Sequence, residues 1–263
     1  MLFKYKNAFV RYSLKGKPGK TAVLAVHGFT ENRKMWKPLY KALDEDYFFI
    51  LPDLLGHGKT TFTGAFLTME EQAEMLASLL NFQGIDQAVV IGHSMGGYIA
   101  LAFAEMFPEK LRGLILLNSH PFADSKEKRR ARAEAVTKAE NDKFAFVAEA
   151  IPGFFAPYNR EKFKREIDEL VREASRGPVA GITGALRGMA VRKDRSAYLF
   201  EKTPYPKAWL ISRDDPLIDF KAFETAASES EDLFFRVIQG GHMSYVESPE
   251  EMIAFVSEFL ETI

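Results

Sequence analysis

The chain has 263 residues, 47% hydrophobic and 27% charged, and its 35 Lys and Arg against 36 Asp and Glu leave a net charge of −1. That length holds one sizeable core, and the near balance of charge argues against a nucleic-acid or acidic-surface partner. The absence of cysteine excludes disulfides, thiolate zinc sites and a cysteine nucleophile; residues 1–6 lack the apolar stretch of a signal peptide, and no run approaches the ~18 apolar residues of a membrane span, so a cytoplasmic protein without membrane contact is expected.

Residues 2–14 alternate enough to predict an antiparallel hairpin turned at Lys6-Asn7. Short apolar runs at 22–26, 48–51, 88–91, 114–117, 208–211 and 233–238 predict buried strands. Residues 68–82 predict a helix that opens on a Thr68/Glu71 capping box, carries Met75, Leu76, Leu79 and Leu80 on one face, and stops at Gly84. Gly92-His-Ser-Met-Gly-Gly97 follows the run 88–91 directly and leads into an apolar, helix-forming stretch that Pro108 ends. A serine at the tip of a strand–turn–helix in this pattern is a nucleophile elbow. Gly92 and Gly96 omit side chains that would collide where strand and helix nearly touch. The helix N-terminus behind Ser94 offers free N–H groups to a developing negative charge.

The alternation breaks after Asn118-Ser-His-Pro121. Residues 121–205 pass without a convincing strand. Residues 126–141 read as a charged helix and 142–150 as another. Phe163, Ile167, Leu170, Val171 and Ala174 form an apolar helical stripe ending at Gly177. Residues 179–191 read as a helix despite Gly181, Gly184 and Gly188. The last helix is signalled by Ser248-Pro-Glu-Glu251, a capping box with proline at its first position, and aligns Met252, Phe255, Val256, Phe259, Leu260 and Ile263 in one stripe. Alternating strands and helices predict an α/β protein with a mostly parallel central sheet covered on both faces. Residues 1–120 and 206–263 form its core, and 121–205 a helical cap inserted in it.

A serine nucleophile needs a base, and the base needs an orienting acid. Of the five histidines, His242 sits in Gln239-Gly-Gly-His-Met-Ser-Tyr245, on the loop leaving the run 233–238, and can reach the top of a parallel sheet. The segment Trp209-Leu-Ile-Ser-Arg-Asp-Asp-Pro216 offers Asp214 and Asp215 at a strand end. Serine, acid, histidine is the order of α/β-hydrolases.

Four segments together resemble the α/β-hydrolase family, in its capped esterase-like branch: His27-Gly28-Phe29, Asp53-Leu-Leu-Gly56-His57-Gly58, Gly92 to Gly97, and Gly241-His242 with Glu247-Ser-Pro-Glu250. The resemblance covers nearly the whole chain except residues 121–205. The family's acid segment, Gly-x-x-Asp-x-x-x-Pro, aligns its acid with Asp215, although Ser212 replaces the glycine and Asp219 the proline. The resemblance also implies an oxyanion hole formed by the backbone N–H groups of Phe29 and Met95. A single such donor is worth roughly 3 kcal/mol. The implied activity is that of a serine carboxylesterase or related acyl hydrolase, acting on a small ester-like molecule through Ser94, His242 and Asp215, with no cofactor and no metal.

The same triad serves C–C bond hydrolases, lactonases, thioesterases and cofactor-free perhydrolases, because the fold does not set the substrate. A menaquinone-pathway lyase relative is a further reading, although that family usually carries a basic residue just past the elbow glycines, where this chain has Tyr98. A ligand receptor with a slow hydrolase site is the alternative from another class.

The aromatic segment 151–158, with Phe154 and Phe155, is a candidate pocket wall, as is His120 at the entry to the cap. His27 and His93 flank the site and are read as orienting backbone. The Gly-Lys-Thr triplets ending at Thr21 and Thr60 lack the earlier glycine of a phosphate loop. The basic run 126–132 reads as a solvated helix face. Asp53 and His57 lack a second histidine at ligand spacing and read as a buttressing loop.

Overall fold

The computed structural model describes residues 1–228, 230 and 232–263. Phe3, Tyr5, Val10 and Tyr12 are buried along the first hairpin and most of their neighbours are not, so one face of it joins the core. Its strands β1 (Leu2–Tyr5) and β2 (Ala8–Gly16) pair antiparallel with Tyr5 opposite Ala8, and Lys6 turns the chain at φ 49°. β3 (Thr21–Val26), β4 (Tyr47–Pro52), β5 (Ala88–His93), β6 (Leu111–Leu117), β7 (Lys207–Ser212) and β8 (Leu233–Ile238) complete an eight-stranded sheet in the order β1-β2-β4-β3-β5-β6-β7-β8. The pairings from β4 to β8 are parallel, and β2 joins β4 antiparallel. β5 and β7 are buried at every residue, which is why their sequences are apolar runs with no alternation.

The helices are α1 (Lys37–Leu43), α2 (Met69–Phe82), α3 (Met95–Met106), α4 (Lys126–Asn141), α5 (Lys143–Ala150), α6 (Lys164–Arg176), α7 (Val179–Ala190), α8 (Ala197–Phe200), α9 (Lys221–Ser228), α10 (Ser244–Glu247) and α11 (Pro249–Leu260). Thr68 caps α2 by accepting from the Glu71 N–H at 3.1 Å. α11 buries Met252, Phe255, Val256, Phe259 and Leu260, and Phe234 stacks on Phe255 and Phe259. The capping box expected at Ser248 is not made: its hydroxyl donates to the Gln239 carbonyl at 2.7 Å and ties the helix start to the loop leaving β8. Among the described residues no helix is long and apolar enough to cross a membrane.

Helices α4 to α8 lie between β6 and β7, over the segment where strand patterning fails. Here the glycines of α7 find their reason. A Cβ on Gly181 would stand 1.9 Å from the Gly56 carbonyl oxygen, and one on Gly188 1.8 Å from that of Leu67. The helix backbone rests directly on loop 54–68, and the Leu67 N–H donates to the Gly184 carbonyl at 3.0 Å. Arg195, its side chain buried, ties the same region to α2 and α3 through Glu70 and Glu105.

Gly188→Ala is therefore expected to destabilise the fold by about 2 kcal/mol through overpacking. Gly153→Ala, whose Cβ would meet nothing within 4 Å, is expected to stay within about 0.5 kcal/mol of wild type. Equal urea midpoints for the two variants would refute the close approach of α7.

Candidate active site

The elbow lies between β5 and α3. Ser94 has φ 53° and ψ −119°, a backbone conformation that costs energy for a residue with a side chain and holds it at the tip of the turn. A Cβ on Gly92 would stand 2.3 Å from the Gly96 carbonyl oxygen, and one on Gly96 2.2 Å from that of Val26. Both glycines are required by packing, as their spacing predicts.

His242, on the loop after β8, meets Ser94: the hydroxyl donates to Nε2 at 2.7 Å. The opposite ring nitrogen, Nδ1–H, donates to Asp215 Oδ2 at 2.8 Å. Asp215 lies just past β7 with its carboxylate fully buried. Its other oxygen accepts from the N–H groups of Leu217 and Ile218 at 2.8 and 3.1 Å. Asp214 points elsewhere, accepting from the exposed Tyr158 hydroxyl at 2.7 Å. The structure thus brings Ser94, His242 and Asp215 together and leaves Asp214 outside.

Asn118, which in the sequence only marks where the alternation breaks, lies against the site. It has φ 44° at the end of β6 and donates from Nδ2 to Asp215 Oδ2 at 3.1 Å and to the Ser212 hydroxyl at 2.9 Å. A buried asparagine closing an apolar strand is the one signal that pointed to it. Ser212, which stands where the family template has glycine, is its partner.

The segment after β3 runs against the elbow, and a Cβ on Gly28 would lie 3.1 Å from Ser94 Cβ. The Phe29 N–H has no hydrogen-bond partner among the described residues. The Met95 N–H belongs to the first turn of α3, where amides have no partner inside the helix. Both lie within the segments that bracket Ser94.

His27 and His93 hold backbone. His27 donates from Nδ1 to the Gly28 carbonyl at 2.8 Å and accepts at Nε2 from the Leu54 N–H at 2.9 Å. His93 donates from Nε2 to the His242 carbonyl at 2.8 Å, while Nδ1 faces Glu31 Oε2 at 3.1 Å. Two acceptors on one ring favour the imidazolium. Burial opposes its charge, but the Glu31 carboxylate outweighs that and raises the His93 pKa, and His93 in turn holds the buried Glu31 below its usual value. Glu31 also accepts from the Gly28 N–H at 2.6 Å. One buried ion pair so joins the loop after β3, the elbow and the histidine loop. The sequence reading did not include Glu31, which lies 62 residues from His93.

Asp53 and His57 form a buttress. Asp53 pairs with Arg33 and accepts from the Lys59 N–H at 2.9 Å. Burial pushes the His57 ring down to about 4.

Above Ser94 is a cavity of about 260 Å³. Phe154 and His120 are on its wall with Tyr98, Leu186 and Met189. Phe154 stands edge-on to His242, ring centroids 6.0 Å apart, and its carbonyl accepts from the His242 N–H at 2.9 Å. Phe155, expected beside it, is fully buried against Phe163 and does not line the cavity. The 3-10 turn Ile151–Phe154 ends between the two, and Phe155 continues in extended backbone, so consecutive rings part. The basic run also divides. Most of it is solvated as expected, but Lys128 and Arg132, one helical turn apart, face the cavity.

A mostly parallel sheet with a serine elbow at the end of its central strand defines an enzyme of the hydrolase class. The family model for the alpha/beta hydrolase fold matches residues 21–249, and the chain belongs to that family. A thermophilic esterase from Thermogutta terrifontis, solved with malate bound, is 30% identical with a TM-score of 0.90, covering 97% of this chain and 94% of its own. A putative 2-succinyl-6-hydroxy-2,4-cyclohexadiene-1-carboxylate synthase from Bacillus subtilis is 27% identical over 270 residues, 97% of this chain and 96% of that protein. The enol-lactonase from Burkholderia xenovorans LB400 shares the fold, with a TM-score of 0.90 at 17% identity over 99% of this chain and 100% of its own.

Proposed function

We propose that the protein is a serine hydrolase of carboxylic esters or closely related acyl compounds, working through an acyl-enzyme on Ser94. The observation that carries this reading is the unbroken relay from Ser94 through His242 to Asp215, at 2.7 and 2.8 Å, opening on the cavity. The Ser94 oxygen attacks the substrate carbonyl as its proton passes to His242 Nε2. Asp215 holds the Nδ1–H tautomer and stabilises the imidazolium that forms. The Phe29 and Met95 N–H groups receive the oxyanion. His242 then protonates the leaving alcohol. Water, deprotonated by the same ring, attacks the acyl-enzyme and releases the acid. No step calls on a metal or an organic cofactor.

Residues 121–205 act in this reading as a cap that shapes the acyl or alcohol pocket and excludes water. Phe154→Ala is expected to shift the ranking of short against longer acyl esters by about tenfold, the worth of one or two methylenes in an apolar pocket. Phe155→Ala is expected to leave the ranking alone and lower stability by about 3 kcal/mol. The reverse pattern in an ester series paired with urea melts would remove Phe154 from recognition.

A second reading, the synthase activity for which the B. subtilis relative is named, is favoured by that relative's match along nearly the full chain. Tyr98 stands against it, at the position where that family usually carries a basic residue. The deciding experiment is labelling by a fluorophosphonate probe, with turnover of an ester, thioester and lactone panel. Wild type is expected to be labelled at Ser94 and to turn over esters repeatedly, with both lost in Ser94→Ala. Labelling mapped to another serine, or a single stoichiometric burst, would overturn the reading.

A further inference from the structure

We infer that the cavity contains a second recognition site, for a carboxylate carried by the substrate away from the reacting carbonyl, built from Lys128, Arg132 and His120. This rests on the acyl-hydrolase reading above and narrows its substrate class to esters that are also anions.

The first observation is charge. Lys128 and Arg132 both line the cavity. Asp124 is the carboxylate that balances this corner, and two arginines already occupy it: Arg132 Nε donates to Oδ2 at 2.5 Å and Arg192 Nη1 to Oδ1 at 2.5 Å. Three cations therefore share Asp124; the charges of Asp215 and Asp194 also reach this corner, but those carboxylates are held by His242 and Asn118 and by Ser196. Lys128 has no ion pair or side-chain hydrogen bond among the described residues. Glu31, the acidic residue on the cavity wall, is committed to His93 and the Gly28 N–H. A surplus of positive charge around a concave, partly apolar site favours an anionic guest.

The second observation is a donor without an acceptor. His120 Nε2 faces Arg192 Nη2 at 3.5 Å and the Tyr98 hydroxyl at 3.3 Å. Burial, reinforced by Arg192, pushes the ring down to about 3, so it is neutral. An arginine can only donate, so the nitrogen facing it is the acceptor and the proton sits on Nδ1. His120 Nδ1 is buried and has no hydrogen-bond partner among the described residues. Buried donors are normally satisfied, and this one is closed off from the cavity as well, so a ligand oxygen reaches it only if the ring turns. One unpaired ammonium at the rim, with Arg132 beside it, suits a single negative charge spread over two oxygens. A phosphate dianion calls for more.

The experiment compares anionic esters with neutral esters of the same length. The anionic set is the monoethyl esters of succinic, glutaric and adipic acids, and the acetate esters of ω-hydroxy acids, which place the carboxylate on the alcohol side. In wild type, kcat/KM for at least one anionic ester is expected to exceed that of its neutral counterpart by about tenfold, the worth of one charge-assisted contact. The ratio is expected to fall to parity in Lys128→Met and to invert in Lys128→Glu. Arg129→Met, exposed and outside the cavity wall, serves as the control. No anionic preference in either set would overturn the inference, as would one that survives both Lys128→Met and His120→Phe. Calorimetric binding of the same ester pairs to Ser94→Ala protein gives a reading that needs no turnover. If folded wild type hydrolyses no ester, the acyl-hydrolase reading fails, and the calorimetry still decides whether the carboxylate site exists.

Discussion

Asparagine at position 215 is expected to lower ester turnover on the order of 10⁴-fold, the cost measured for that change in a protease triad, with asparagine at 214 close to wild type. The argument is one of tautomers. Asp215 accepts the Nδ1–H of His242, so the lone pair of Nε2 faces the Ser94 hydroxyl. An amide at 215 can present its NH₂ to the ring, and the ring answers by carrying its proton on Nε2, where it cannot take one from serine. Asp215 also accepts from the Leu217 and Ile218 N–H groups and from Asn118, which keep the carboxylate still while the ring moves protons. The Asp214 carboxylate accepts instead from Tyr158 on the surface, and among the described residues it makes no hydrogen bond to the relay. Initial rates for both variants on one ester, with melting curves as a check of folding, decide the matter. A crippled Asp214→Asn beside an active Asp215→Asn would reverse the assignment.

Removing the charge of Glu31 is expected to destabilise the fold by about 4 kcal/mol, since one partner of a buried ion pair is left without the other. The two side chains are 1% and 3% exposed, so water offers little relief. pH gives a sharper signature than magnitude. The folded His93 pKa is raised above the ordinary histidine value of 6.5. Its contribution is complete below that value and is lost as pH rises through the folded pKa. Glu31 is held below 4.5 when folded, so its share is present above that value and is lost as pH falls through the folded pKa. In Glu31→Gln the raising influence on His93 is gone and burial lowers its pKa, so this histidine makes stability rise with pH up to about 6.5. Urea unfolding of both proteins between about pH 5 and 8 reads the difference, and the other histidines cancel in it. A difference that does not change with pH would mean that His93 and Glu31 share no charge.

Most of the architecture was legible because its strands are short apolar runs bounded by turns, and because the elbow must have glycine at 92 and 96 for steric reasons alone. Residue chemistry alone left Asp214 and Asp215 open. Adjacent residues leaving a strand part to different sides, and which side holds His242 is a tertiary fact. The link between His93 and Glu31 joins segments 62 residues apart and leaves no periodic trace. The charged helix α4 hides its inward face for a related reason. Lys128 and Arg132 share a face at helical spacing, but a helix polar on nearly every side does not announce which face meets a cavity. Ser248 shows the limit of local rules. It has the right neighbours for a capping box, and a closer carbonyl at Gln239 takes its hydroxyl instead.

The seat of α7 on loop 54–68 bears on how such a protein can change its diet. Helices α4 to α8 leave the sheet after β6 and rejoin it at β7, its immediate neighbour, so they form one excursion from the scaffold. Ser94, Asp215 and His242 all lie outside that excursion. On the proposed function, exchanging it between relatives would alter selectivity without rebuilding the reacting groups, and only a donor segment with small residues at the places of Gly181 and Gly188 can land on the host loop. Lineages descended from such exchanges should carry those two glycines as a docking scar, even where every cavity-lining side chain has diverged.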